Sequence, residues 1–140
     1  MIAKVCRRGQ SASGLLRYLT GDSKAGHVVL DDADVQRLNA PSAQRPDIER
    51  PIWHAALSLP EGEHLDVETW RVVAAEFLER MGLGWHEWSA VVHNETGHQH
   101  CHVVANRIGY SGQVWAGEWD GRRAIEAAKA LEFAHGLTVE

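Results

Sequence analysis

His100, His102, Val104 and Asn106 stand two residues apart, with Cys101, Val103 and Ala105 between them. A period of two is the mark of an extended strand. It sends the first set to one face of a sheet and the second set to the other. Ser89 to His93 reads as another strand, and the six residues 94–99, with Gly97 among them, read as the turn between the two. If the strands pair antiparallel with His93 opposite His100, three imidazoles share one face, with cross-strand Cβ atoms about 5 Å apart.

Three imidazoles at that reach can close on one metal ion. A lone histidine in an apolar strand is ordinarily a satisfied core residue, but three on one face beside an acidic residue point to ligation. A structural zinc fills four positions with Cys and His. Here Cys101 points away from the histidines and Cys6 has no partner at zinc spacing. Three nitrogens with one open position is the arrangement of a catalytic ion, which polarises a phosphoryl or carbonyl oxygen or ionises a water. Glu95 is placed either as a fourth ligand or as the acceptor for a ligand's other ring N–H. Imidazoles favour Zn, Mn, Ni or Co over Mg. His98 breaks the parity and reads as solvent-facing; His54 shares a face with Ser58, where it would flank the site, but reads first as a structural strand histidine.

The rest of the chain has the apolar content for a proper core, 44% hydrophobic in 140 residues, and reads as a single domain over residues 1–140. Two cysteines without a pattern fit a reducing, cytoplasmic compartment. No stretch reaches the roughly 20 apolar residues of a membrane span, so no membrane insertion is expected. A net charge of -5 does not by itself advertise a nucleic-acid partner. Its distribution is less even: residues 1–30 sum to +4, with Arg7, Arg8 and Arg17 among the bases, and the remainder to -9.

Strands and helices alternate along the chain. Residues 1–6 read as a strand. Ser11 and Ser13 offer caps for a short helix carrying Leu15, Leu16 and Leu19, with Tyr18 at the border of that stripe. Residues 27–30 read as a brief strand and 52–59 as a longer one. Residues 31–50 are polar, contain Pro41 and Pro46, and are expected to be mobile, with one helical turn near Val35. Asp66 caps the clearest helix, whose apolar rhythm runs to Gly82, and a last helix runs from Asp120 through Ile125, Ala128 and Leu131 to His135. The economical assembly is α+β: an antiparallel sheet with helices packed on one face and the histidines on the other.

The residues resemble a family at this point. His93-x-Glu95, His100-x-His102 and Asn106 match the third motif of conjugative relaxases of mobilisation class P, plasmid nucleases of the HUH endonuclease superfamily with a ferredoxin- or RRM-like palm. Leu15-Leu16-Arg17-Tyr18-Leu19-Thr20 looks like their first motif, and Ser58-Leu59-Pro60-Glu61-Gly62-Glu63 like their second. The segment from Ala127 to Leu137 looks like their closing helix. Departures are Glu95 where the family usually has Asp, and Cys101 at the hydrophobic position between two histidines. The chain is also acidic for a DNA enzyme, and it reads as an N-terminal nuclease module or a natural short form.

The resemblance implies a mechanism. His93, His100 and His102 hold a divalent ion, usually Mg or Mn in this family, with Zn, Ni or Co possible in purified protein. Tyr18 attacks a phosphodiester of single-stranded DNA at a transfer origin, leaving a 5′-phosphotyrosine, with Glu95 aiding the proton transfer. Ser58, Asn106, Arg7, Arg8 and Arg17 are expected in DNA contact or site architecture. Accessory relaxosome proteins and a coupling protein are the expected partners in a bacterial cytoplasm. The rivals are a replication initiator or transposase of the same superfamily, a metal-dependent phosphohydrolase with Tyr18 packed in the core, and a DNA-binding relic without activity. Tyr110, the other tyrosine, reads as a turn residue.

Overall fold

The computed structural model describes residues 1–21, 28–30, 35–94 and 97–140, without the side chains of residues 28 and 29. Its strands are β1 (Ile2–Val5), β2 (Val28–Leu30), β3 (Ile52–Ser58), β4 (Trp88–His93) and β5 (His100–Asn106). They form one sheet in the order β1-β3-β5-β4-β2, antiparallel at every junction. The register of β4 on β5 sets His93 opposite His100 and Val91 opposite His102, as the parity argument requires.

Alternation then decides the layers. Trp53, Ala55 and Leu57 of β3 and Cys101, Val103 and Ala105 of β5 face a core closed by α3 (Val67–Met81) and α4 (Asp120–His135). Helix α3 buries Trp70, Val73, Ala74, Phe77, Leu78 and Met81, a stripe at helical spacing. Gly82 ends it at φ 87°, the left-handed region where a residue without Cβ costs least. Trp53 sits at the centre of this layer, its ring 6.1 Å from Phe77 and 5.4 Å from Trp115. Its indole N–H donates to Asp120 Oδ2 at 3.0 Å, which ties β3 to the start of α4. In α4 the buried row is Ala124, Ala127, Ala128 and Leu131, with Glu132 buried beside it, and Ile125 lies outside it, half-exposed. Alanines let this helix approach β1 and α3 closely, so the largest aliphatic side chain of its first turns faces outward.

The opposite face is not bare. Helices α1 (Ala12–Leu19) and α2 (Val35–Asn39) lie against it, and Ala12, Leu16, Leu19 and Leu38 pack on Ile52, Val91 and Val104. Ser11 caps α1, its hydroxyl accepting from the Ser13 backbone N–H. Of the polar segment at 31–50, residues 31–34 lie outside the described residues. The remainder holds α2 and a 3-10 turn at Ala40–Gln44 with Pro41 buried, more structure than the single helical turn expected. Asn106 fastens this layer to the sheet: its amide donates to the Leu38 carbonyl at 2.9 Å and to Ser42 Oγ at 3.0 Å. Beyond α1, where β3 finishes and β5 begins, stand the histidines. Among the described residues no helix is long and apolar enough to cross a membrane.

The N-cap of α3 carries a prediction. Hydrogen bonding from Thr69, first from its side chain and then from its backbone N–H at 2.7 Å, holds the Asp66 carboxyl below its ordinary value of 3.8. A lowered folded value means the cap stabilises above about pH 4 and that this contribution fades as pH falls through the folded value. Asp66→Ala should therefore lower the melting temperature at neutral pH, Asp66→Ser should retain most of it, and the gap between wild type and Asp66→Ala should narrow in acid. Thermal melts at neutral and acid pH check this; a gap that widens in acid contradicts it.

Candidate metal centre and active site

His93 at the end of β4 and His100 and His102 on β5 meet because the turn returns the chain in register. Their ring centroids form a near-equilateral triangle with sides of 5.0, 5.0 and 4.7 Å. One nitrogen from each ring lies within 4.8 Å of the other two, and these three are the group among the described residues able to hold a metal ion. His93 is buried, while His100 and His102 are half-buried, so the cluster has a protected floor and an accessible side.

The second nitrogens are committed elsewhere. His93 Nε2 lies 2.9 Å from the Leu19 carbonyl and His100 Nδ1 lies 3.1 Å from the His98 carbonyl. A carbonyl only accepts, so each of those nitrogens carries the hydrogen. The remaining nitrogens, His93 Nδ1 and His100 Nε2, then present lone pairs to each other at 3.2 Å. Two facing lone pairs repel unless a cation or a proton lies between them. Ligands about 2.1 Å from a common ion would stand roughly 3 Å apart, so the donor set fits a divalent metal. His102 Nδ1 is engaged with His54 Nε2 at 2.9 Å.

Other predicted residues divide by which end of the sheet they occupy. Ser58 is paired with His100 across β3 and β5, on the histidine face at the same end. Tyr18 lies on α1, one residue before the Leu19 whose carbonyl holds His93, and is 64% exposed. Arg17 precedes it and is exposed. Glu95 lies outside the described residues. Arg7 and Arg8 follow β1 at the far end, where Gly9 bridges Ile52 and Ile52 pairs with Asn106. Six residues of strand, about 20 Å, separate that end from His100. Arg8 there donates to the Ala116 carbonyl at 3.0 Å and lies 3.6 Å from Asp120 Oδ2. Asn106 is wholly buried and bonded within the fold, so it shapes the scaffold and meets no solvent. Tyr110 belongs to the turn after β5, also at the far end.

Cys101 faces the core, and burial pushes its thiol far above the ordinary value, so it supplies no thiolate to an ion. His98 is exposed in the turn, as its parity suggested. Sequence did not single out Gln99, and it weighed His54 as a flank of the site but preferred a structural role. Gln99 is buried in the turn, accepting from the Leu65 N–H at 2.7 Å and donating to Leu65 O and Asn94 Oδ1, which latches the turn to the loop after β3. No periodicity marks such a residue. His54, read as a structural histidine, touches His102, and burial pushes it down to about 4, which keeps it neutral. Its place on the same face as Ser58 was the one signal available.

Replacing His93, His100 or His102 singly by Ala should weaken Mn2+ binding by at least tenfold, whereas Cys101→Ala and His98→Ala should leave it within a few-fold. Calorimetric titration decides; a loss at Cys101 equal to that at His100 would contradict the shared face.

Comparison with known proteins agrees with this geometry. The family model described as relaxase, MobA/VirD2-like, nuclease domain matches residues 24–137, which include all three histidines. The chain is 26% identical over 138 residues to the protein TraI of Escherichia coli, covering 89% of this chain and 18% of that protein. A second Escherichia coli TraI is 25% identical over 137 residues, covering 88% of this chain and 19% of the relative. The chain thus spans less than a fifth of the length of these curated relatives. With the family model matching well over half of its residues, the chain belongs to the relaxases with a MobA/VirD2-like nuclease domain.

Proposed function

We propose that this chain nicks and rejoins one strand of DNA at the transfer origin of a plasmid or other mobile element, with Tyr18 as the nucleophile. The observation that carries the reading is the 2.9 Å contact between the Leu19 carbonyl and His93 Nε2, which fastens the end of the tyrosine helix to the triad. The chain's other tyrosine, Tyr110, belongs to the opposite end of the sheet. Tyr18 is also largely exposed, as an attacking group must be and a core residue is not.

In this reading a phosphodiester lies against the histidine face. Tyr18 Oη attacks phosphorus, the bond from phosphorus to the 3′ oxygen breaks, and that oxygen leaves as a 3′-hydroxyl after taking a proton. The 5′-phosphotyrosine conserves the phosphodiester bond energy, so attack by a 3′-hydroxyl rejoins the strand and frees the phenol. A phenol titrates near 10, so a base must take its proton, and Glu95, two positions after His93 in sequence, is proposed for that role. A divalent ion, Mg or Mn in the cell, held by His93, His100 and His102 would neutralise charge on the phosphate oxygens. Ser58 contacts the strand at the histidine end, and Arg17 meets a phosphate next to Tyr18. Asn106 acts through site architecture. Relaxosome proteins and a coupling protein are the proposed partners, and the bacterial cytoplasm the proposed location.

Arg7 and Arg8, about 20 Å from the histidines along the sheet, meet DNA only if the strand extends well beyond the histidine end. Replacing both by Ala should flatten the slope of log K against log salt by about 0.7 for each phosphate no longer neutralised. The effect should appear with a long oligonucleotide and not with one that covers only the histidine end. Equal slopes with the long oligonucleotide would place the strand elsewhere.

Tyr18→Phe should keep its melting temperature and Mn2+ affinity and form no covalent adduct with an origin oligonucleotide, while Tyr110→Phe forms adduct at near wild-type yield. A denaturing gel with a protease control reads this. Adduct in Tyr18→Phe and none in Tyr110→Phe would overturn the assignment.

A further inference from the structure

His54 lies on β3, on the face that also carries Ser58, and its Nε2 stands 2.9 Å from His102 Nδ1. The ring is buried, and its centroid lies 5.1 Å from that of His102 with the planes tilted 41°. The contact is therefore nitrogen to nitrogen and not a stack. One hydrogen fits between the two rings, and the side it occupies decides what His102 presents elsewhere. On His102 Nδ1, it leaves Nε2 with a lone pair. On His54 Nε2, it makes His102 Nδ1 the acceptor and puts the other hydrogen on His102 Nε2, where no cation can be bound.

His93 and His100 have this choice made for them by backbone carbonyls, which only accept. The partner identified for His102 is a second imidazole, which can accept or donate. Among the described contacts, His102 is the one of the three whose choice falls to a side chain.

We propose that His54 is a positioning residue: its Nε2 accepts the His102 Nδ1–H and holds His102 in the tautomer whose Nε2 joins the triad. The proposal rests on the reading of the triad as a metal centre. His54 then carries its own hydrogen on Nδ1 and touches neither ion nor DNA; it acts through His102. Acceptors behind metal-bound histidines typically contribute 10- to 100-fold to affinity.

The test has a readout that needs no metal. Nitrogen-detected NMR of the metal-free 140-residue chain at neutral pH should show His102 as the Nδ1–H tautomer in wild type and as a mixture or the Nε2–H form in His54→Phe. Mn2+ titrated by calorimetry should bind His54→Phe 10- to 100-fold more weakly. His54→Gln, whose amide oxygen can accept in place of Nε2, should recover most of the loss. His102 found as Nε2–H in wild type, or Mn2+ affinity unchanged in a folded His54→Phe, would overturn the proposal. If His54→Phe fails to fold, the wild-type tautomer and His54→Gln decide it: His54→Gln as weak as the single His102→Ala variant also overturns it. Wild type that holds the Nδ1–H tautomer but binds no Mn2+ would sink the metal reading and leave the role of His54 supported.

Discussion

The pairing of β4 with β5 in one register is the constraint on which everything else in this molecule depends. Side chains alternate with a period of two, so a slip of one residue would turn His100 and His102 into the core and bring Cys101 and Val103 out. The register is pinned at both ends. At the turn, Gln99 is bonded to Leu65 and Asn94, and at the other end Asn106 is bonded to α2 and the 3-10 turn after it. Between them, Cys101, Val103 and Ala105 are committed to the packed layer under α3 and α4. The core enforces the register, and the register presents the histidines.

The second layer turns that display into a site. Helix α1 packs through Leu16 and Leu19 on Val91 and Val104, and this burial carries its last carbonyl to His93. Apolar contacts thus position a polar one. The same packing leaves Tyr18 exposed, one residue before the carbonyl that meets His93, because Leu16 and Leu19 claim the buried side of a helix only eight residues long. Each imidazole has one nitrogen engaged behind it, and His93 and His100 turn their other nitrogens on each other, an arrangement that is comfortable only around positive charge.

Much of this was legible in the sequence, for reasons that are local. The two-residue spacing of His100, His102 and Asn106 marked the strand and its faces, and Asp66 and Gly82 marked the ends of α3 to the residue. What was not legible depends on placement across the sheet. His54 is opposite Val104, and reaches His102 only on the diagonal. That contact follows from the register of β3 on β5, which no spacing within either strand reveals. Charge counting found the basic residues near the N-terminus, but the turn of β1 against β3 puts Arg7 and Arg8 at the far end from the histidines. Hydrophobicity alone places Ile125 in the core of α4; close packing of that helix through alanines left no room for it.

The proposed chemistry requires the triad to be a metal centre. Anomalous scattering from a crystal of the chain grown with Mn2+ tests it most directly, since the signal locates the ion without reference to any assumed ligand. One strong peak is expected, bonded at about 2.1–2.2 Å to a ring nitrogen of each of His93, His100 and His102, with Nδ1 of His93 and Nε2 of His100 as the bonding atoms. A peak held by other residues, or a triad without one while the metal is bound elsewhere on the chain, would contradict it.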